Sequence, residues 1–100
     1  MNEKNYNGWT NYETWLVALW LGNEPGTYED TREMTKSHVR EHGKECEYLL
    51  SKSIKDYVEE LLPDLGASLA ADLMGAAMSE VDWQDIAENY LSDESDEEDE

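Results

Sequence analysis

The amino-acid sequence predicts an all-α protein, a compact bundle of four to five helices with a disordered acidic C-terminal tail. Two observations support this fold class. Apolar residues recur at intervals of three and four along most of the chain, which is the period of an amphipathic helix. Cap and stop residues such as Ser, Thr, Gly and Pro separate these stretches. The 100 residues suffice for one domain, which we assign to residues 1–91, followed by the tail at 92–100.

The first predicted helix spans about residues 11–21. Residues 1–9 before it are polar, contain an Asn-Gly turn signal and are interpreted as irregular. A capping box, Thr10-x-x-Glu13, precedes the helix, and Gly22 closes it. Apolar side chains cover nearly its whole circumference, which is typical of a buried helix, so we expect it to be the central element. A buried strand over the same apolar run is the competing interpretation, which the cap signal and the length disfavour.

Two further helices are predicted before Pro63. After a turn at residues 23–26, one runs from a Thr27 cap to about His42, and its low apolar content predicts a largely solvated helix. The other covers about residues 44–62 and has the clearest buried face of the chain. That face consists of Cys46, Leu49, Leu50, Ser53, Ile54, Tyr57, Val58 and Leu61.

The last two helices differ in composition. Residues 65–78 are rich in Gly and Ala, which permit close approach, so this helix is expected to pack tightly. Residues 79–82 (Ser-Glu-Val-Asp) cap a fifth helix. Its apolar stripe is formed by Trp83, Ile86, Ala87, Tyr90 and Leu91. Residues 92–100 contain no apolar side chain, and we expect them to be disordered.

The distribution of charge is the most informative feature of the sequence. Twenty-five acidic and seven basic residues give a net charge of -18. All the basic residues lie within residues 1–55, whereas residues 56–100 hold sixteen acidic residues and no basic one. Such a surface repels phosphates, which argues against direct binding of nucleic acid. Its natural complement is a basic surface on another protein.

Other features indicate a cytoplasmic binding protein without a cofactor. The longest apolar run, residues 15–21, is far shorter than the ~20 residues that cross a bilayer, and no signal-peptide pattern is present. A single cysteine, Cys46, fits a reducing compartment and is interpreted as a buried structural thiol. His38-Val-Arg-Glu-His42 matches the H-x-x-E-H form of one zinc-peptidase class, with Glu41 as its base. That match is short and nothing supplies a pocket, so we favour a surface helix end and assign no metal site and no enzymatic activity.

The aromatic residues allow two interpretations. The chain has four Trp and six Tyr but no Phe, and Tyr and Trp are enriched at protein interfaces. Tyr6, Trp9 and Tyr12 could therefore line a binding surface. The alternative is that aromatic residues fill a small core, which we favour for Trp15, Trp20 and Trp83.

Residues 7–15, Asn-Gly-Trp-Thr-Asn-Tyr-Glu-Thr-Trp, resemble the opening of a family of small proteins carried by bacteriophages, plasmids and prokaryotic mobile elements. The resemblance covers about residues 7–28; it implies a phage or mobile-element source and no catalytic residue. In size, predicted helicity and acidic terminus the chain is also similar to phage antirestriction proteins that mimic DNA. That second likeness is one of composition, without a shared motif.

The acidic half leads to the functional hypothesis. Carboxylates three or four residues apart on a helix lie about 5–6 Å apart, and a DNA duplex carries one charge per ~1.7 Å of its axis. Two acidic helices and a tail can thus imitate a short duplex and block the basic nucleic-acid groove of a host defence enzyme, such as a restriction or CRISPR effector. An aromatic interaction module, an acidic face that serves solubility alone and a homodimer are the alternatives. The residues expected to contact the partner are Asp56, Glu59, Glu60, Asp64, Asp82, Asp85, Glu88, Asp93, Glu94, Asp96, Glu97, Glu98, Asp99 and Glu100.

Overall fold

The computed structural model describes the backbone of residues 6–98 and the side chains of residues 6–43 and 45–93. Within these residues the chain contains five α-helices and no strand, which confirms the predicted all-α fold. None of the helices in the described part is long and apolar enough to cross a membrane. A 3-10 turn at Gly43–Glu45 joins the second helix to the third. The helices are α1 (Tyr12–Asn23), α2 (Pro25–His42), α3 (Glu47–Leu61), α4 (Leu69–Glu80) and α5 (Trp83–Glu98).

The core forms where α3 packs against α5. Leu50 and Ile54 of α3 and Ile86 of α5 are completely enclosed. These residues belong to the two faces that the apolar spacing predicted, and most of both faces is confirmed. Leu49 and Leu61 are exceptions, because both are exposed at the margins of the α3 face.

The prediction that the first helix is the central element is wrong. Only Thr14 and Leu21 of α1 are buried, and Trp20, expected in the core, is 61% exposed. Apolar side chains surround α1, but the neighbouring helices cover only part of its surface, so Leu19 and Trp20 remain exposed. The predicted cap is also wrong, because Asn11 caps α1 by accepting a hydrogen bond from the Thr14 amide at 2.9 Å. Thr10 instead forms tertiary hydrogen bonds that are described below.

α2 has an inner face made of threonines. Thr31 and Thr35 are buried, and their hydroxyls donate to the carbonyls of Thr27 and Thr31 at 2.7 and 2.8 Å. Because these groups are satisfied within the helix, polar side chains serve as core residues here. The prediction of a largely solvated helix missed this face. Thr27 is not the cap, since only Glu24 separates α1 from α2 and Pro25 begins the new helix.

α4 contradicts the prediction of tight packing. It buries no side chain, and Leu69 and Leu73 are 75% and 62% exposed. The many Gly and Ala residues lack the large side chains that interlock with a neighbouring helix. Ser68 caps the helix by accepting a hydrogen bond from the Ala71 amide at 3.1 Å.

α5 begins as predicted and continues further than predicted. Asp82 accepts a hydrogen bond from the Asp85 amide at 3.1 Å, which satisfies an otherwise unpaired donor of the first turn. The helix runs to Glu98 and not to Leu91, because no Gly or Pro interrupts residues 92–98. Residues 99–100 and the side chains of 94–98 lie outside the described residues, so the disordered tail and the domain boundary after residue 91 stay predictions.

Candidate protein-binding surface

Of the eight predicted contact acids whose side chains the structure describes, six are exposed. Asp56, Glu59 and Glu60 are exposed on α3, and Asp64 follows in the connection to α4. Glu88 and Asp93 are exposed on α5, which packs against α3. The predicted acids that lie outside the described side chains are Glu94, Asp96, Glu97, Glu98, Asp99 and Glu100.

Two exposed acids were missed, although the sequence contained a signal for them. Asp72 and Glu80 lie on the surface of α4, so the acidic surface includes three helices. Both belong to the half of the chain that has no basic residue, and that fact alone marks them as candidates. The prediction considered only the acids on the third and fifth helices and the tail.

Asp85 was predicted to face a partner, and this prediction is wrong. Asp85 is buried, with only 3% of its surface exposed. Its Oδ2 atom accepts a hydrogen bond from the backbone amide of Thr10 at 3.0 Å and lies 3.0 Å from the Thr10 hydroxyl. The same hydroxyl lies 2.9 Å from Oδ2 of Asp82, which is half-buried. Both acids are thus held by the chain itself, and their role is structural.

Three polar residues of the segment at residues 7–15 complete this contact. The Asn11 side-chain amide donates to the carbonyl of Glu80 at 2.7 Å, and the Asp82 amide donates to the Thr14 hydroxyl at 2.8 Å. The Thr14 hydroxyl in turn donates to Asn11 at 2.6 Å. We call Thr10, Asn11, Thr14, Asp82 and Asp85 the polar junction, because together they hold the start of α1 against the start of α5.

The aromatic residues of the same segment occupy a different face. Asn7 and Gly8 adopt positive φ angles of 49° and 89°, and Tyr6 and Trp9 exchange two backbone hydrogen bonds across them. This tight reversal is typical of an Asn-Gly turn. It sets the Tyr6 ring 5.3 Å from Tyr12 and 5.2 Å from Trp15, measured between centroids. We call Tyr6, Tyr12 and Trp15 the aromatic cluster. Its Tyr6 and Tyr12 are exposed, whereas Trp9 lies outside the cluster and packs against the core.

Of the H-x-x-E-H motif, His38 contacts a neighbouring helix, whereas Glu41 and His42 are exposed. Nδ1 of His38 lies 2.9 Å from the carbonyl of Met34, which can only accept, so the proton is on Nδ1. Nε2 lies 3.1 Å from the Ser53 hydroxyl, and this contact joins α2 to α3. Both ring nitrogens are therefore engaged. The described residues contain no group of three or more His, Cys, Asp and Glu side chains that could hold a metal ion.

Carboxylates of α3 and α5 come close enough to influence one another. Partial burial raises the pKa of Glu47, in the first turn of α3, and the charge of Glu88 and a hydrogen bond with it raise this pKa further. Asp82 adds a smaller contribution of the same sign. Glu47 of α3 and Glu88 of α5 are therefore close enough to form one small group of carboxyls between the two helices.

A second surface feature is apolar. A groove of about 340 Å³ lies between α1 and α3, and Trp20 and Leu61 are exposed along it. An adjoining groove of about 350 Å³ lies between α3 and α4 and is partly polar. Leu62 and Met78 line both, so the two grooves are neighbours.

Comparison with known sequences assigns the chain to a family. The sequence model of a family of unknown function (DUF7249) matches residues 2–97. The chain belongs to this family. No curated protein and no solved structure matches the chain. Because the match spans nearly the whole chain, the polar junction, the acidic surface and the grooves all lie within the extent of the family.

Proposed function

We propose that the chain is an acidic inhibitor, carried by a phage or other mobile element, that occupies the basic nucleic-acid groove of a host defence enzyme. One observation carries this proposal: the exposed carboxylates of residues 56–93 lie mostly on helices, and this stretch of the chain contains no basic residue, although Lys52 and Lys55 precede it on α3. A restriction or CRISPR effector binds nucleic acid through a basic groove, for which such a surface is a competitor.

The geometry of the acidic helices supports mimicry of a short duplex. α5 has 16 residues. At 1.5 Å per residue it is about 24 Å long, the length of roughly seven base pairs. α3 packs beside it, and the axes of packed helices lie about 8–10 Å apart, a spacing comparable with the ~12 Å width of a major groove. The exposed acids of α3 and the exposed Glu88 and Asp93 of α5 are held by the fold, so binding needs little ordering of the backbone.

The proposal predicts strongly salt-dependent inhibition, because the attraction acts between exposed charges. The assay is competition with a labelled DNA duplex for restriction and CRISPR effector nucleases, at about 50 mM and about 500 mM salt. We expect displacement of the duplex at the lower concentration and loss of displacement at the higher one. Inhibition that is equally strong at both concentrations would contradict charge mimicry.

Charge reversal tests which face is responsible. Asp56, Glu59 and Glu60 are exposed, so their joint replacement by Lys should abolish inhibition without unfolding the protein. The matched control replaces three exposed acids of α2, at positions 29, 33 and 41, by Lys and introduces the same change in net charge. We expect the control to weaken inhibition only slightly. If the α3 variant inhibits as well as the native protein, the proposal fails.

A second candidate function uses the aromatic cluster. The exposed rings of Tyr6 and Tyr12 offer an aromatic surface for a protein partner, with the acids then serving solubility. One deletion and two substitutions separate the candidates. Deletion of residues 92–100 should weaken a charge mimic and leave an aromatic module unaffected, whereas Tyr6→Ala and Tyr12→Ala should have the opposite effects.

A further inference from the structure

The groove between α1 and α3 is lined almost entirely by apolar side chains. Val17 and Leu21 of α1 and Val58 of α3 line it, and Trp20 and Leu61 stand exposed beside them. Its volume of about 340 Å³ is roughly twice that of a ~150 Å³ cavity that admits benzene. The groove is therefore large enough for two or three leucine-sized side chains.

Two acidic residues flank the apolar side chains of α1 that line this groove. Glu24 lines it directly, and no basic residue is among its lining side chains. On α1, Glu13 precedes Leu16 and Val17 by about one turn, so Glu13, these two apolar residues and Trp20 follow one face of the helix. The α1 wall thus has an apolar centre with a carboxylate at each end. A complementary ligand has an apolar stripe flanked by positive charges.

The charge of the chain discriminates between the candidate occupants. A second copy carries the same net charge of -18, and pairing through this groove would bring like charges together at both ends. A neutral apolar ligand would fill the centre but leave the carboxylates without a partner. An amphipathic helix with Leu-like residues on one face and Lys or Arg beside them matches both features.

We propose that the groove between α1 and α3 binds a basic amphipathic helix of a partner protein. The helix inserts two or three apolar side chains between Trp20 and Leu61, and its basic residues contact Glu24 and Glu13. The inference deepens the proposed function, since it assumes the same basic partner and adds an anchoring site beside the acidic surface.

The test uses synthetic peptides and does not require the natural partner. The probe is a labelled helical peptide of about 14 residues with Leu at i, i+3, i+4 and i+7 and Lys at the flanking positions. One control peptide has Glu in place of Lys, and another has the same composition in an order that removes the apolar stripe. Fluorescence anisotropy should show binding of the first peptide and at least about tenfold weaker binding of both controls. Equal binding of the Glu peptide, or no binding of the Lys peptide, would overturn the proposal.

Variants of the protein locate the site. Trp20→Ala and Leu61→Ala remove exposed side chains, so the fold should persist while the peptide binds about tenfold more weakly or worse. Tyr48→Ala is the matched control, because Tyr48 is equally exposed on α3 and does not line the groove. Unchanged binding by the two groove variants would refute the site. A dimer in sedimentation analysis that Trp20→Ala dissociates would identify a second copy as the occupant and overturn the proposal.

The two proposals can fail separately. If the Lys peptide binds in the groove but the protein never displaces DNA from a nuclease, the groove assignment stands and the mimicry proposal fails. If the protein displaces DNA and Trp20→Ala does so equally well, the acidic surface acts alone and the groove is not the anchoring site.

Discussion

Replacing Asp85 by alanine removes the carboxylate that holds Thr10 in the polar junction. The substitution deletes the acceptor of the Thr10 amide and one of two acceptors near its hydroxyl, each at 3.0 Å. A hydrogen bond to a charged group contributes about 1.5–3 kcal/mol. The hydroxyl keeps Asp82 at 2.9 Å, so the loss is set mainly by the amide, which becomes an unpaired donor. Relief of repulsion from neighbouring carboxylates returns about 0.5 kcal/mol.

The net expectation for Asp85→Ala is a loss of about 1–2.5 kcal/mol in the free energy of unfolding. At about 4–8 °C per kcal/mol for a domain of this size, Tm falls by about 4–20 °C. Thermal and denaturant unfolding, followed by circular dichroism, measure both quantities. Glu88→Ala is the matched control, because it removes an exposed acid from the same helix, close to one turn away. Its Tm should be unchanged or slightly higher.

A double-mutant cycle assigns the effect to the proposed bonds. Thr10→Val removes the hydroxyl while the backbone amide remains, so its combination with Asp85→Ala should be less destabilising than the sum of the two single changes. If Asp85→Ala and Glu88→Ala melt at the same temperature, Asp85 is not the buried acceptor described above and the reasoning is refuted.

Three further predictions follow from the titratable groups. Burial and Glu88 raise the pKa of Glu47 in the folded protein. The protonated Glu47 therefore stabilises the fold fully below the unfolded pKa, ordinarily 4.5, and this stabilisation is lost as pH rises through the folded pKa. Glu47→Gln should raise Tm at pH 7 but not near pH 4. Burial and a 2.8 Å hydrogen bond to Asp30 raise the pKa of Tyr57 to about 12. Tyr57→Phe should therefore remove the phenol that titrates last in an alkaline absorbance titration. The same substitution should lower the free energy of unfolding at pH 7 by about 1 kcal/mol. Burial raises the pKa of the Cys46 thiol, so a thiol reagent should leave the folded protein unmodified and react rapidly once denaturant unfolds it. Rapid modification of the folded protein would contradict the buried position of Cys46.

The sequence predicted the helices whose patterns were unambiguous. α3 and α5 each carry one apolar stripe, so their buried faces follow from spacing alone. The cap at Asp82 and the end of α3 before Pro63 also follow from local chemistry. In these segments every local signal agrees with the tertiary packing.

The other features of the fold could not be predicted, because the local sequence pattern does not show which side chains are buried. An apolar α1 has no unique inner face in the sequence, and only the packed structure shows that Trp20 is outside. Thr31 and Thr35 gave no apolar signal, although their hydroxyls are satisfied inside the helix. Asp85 has the same local pattern as the exposed acids around it. Its partner, Thr10, lies 75 residues earlier in the sequence.

That separation has a consequence for how the protein is made. During synthesis, Thr10 is produced long before Asp85, and the junction cannot close until α5 has left the ribosome. Bringing together segments 75 residues apart has a loop-closure term of about 4 kcal/mol, which earlier contacts must already have offset. We therefore expect these bonds to form late in folding, so Asp85→Ala should accelerate unfolding while refolding proceeds at nearly the native rate.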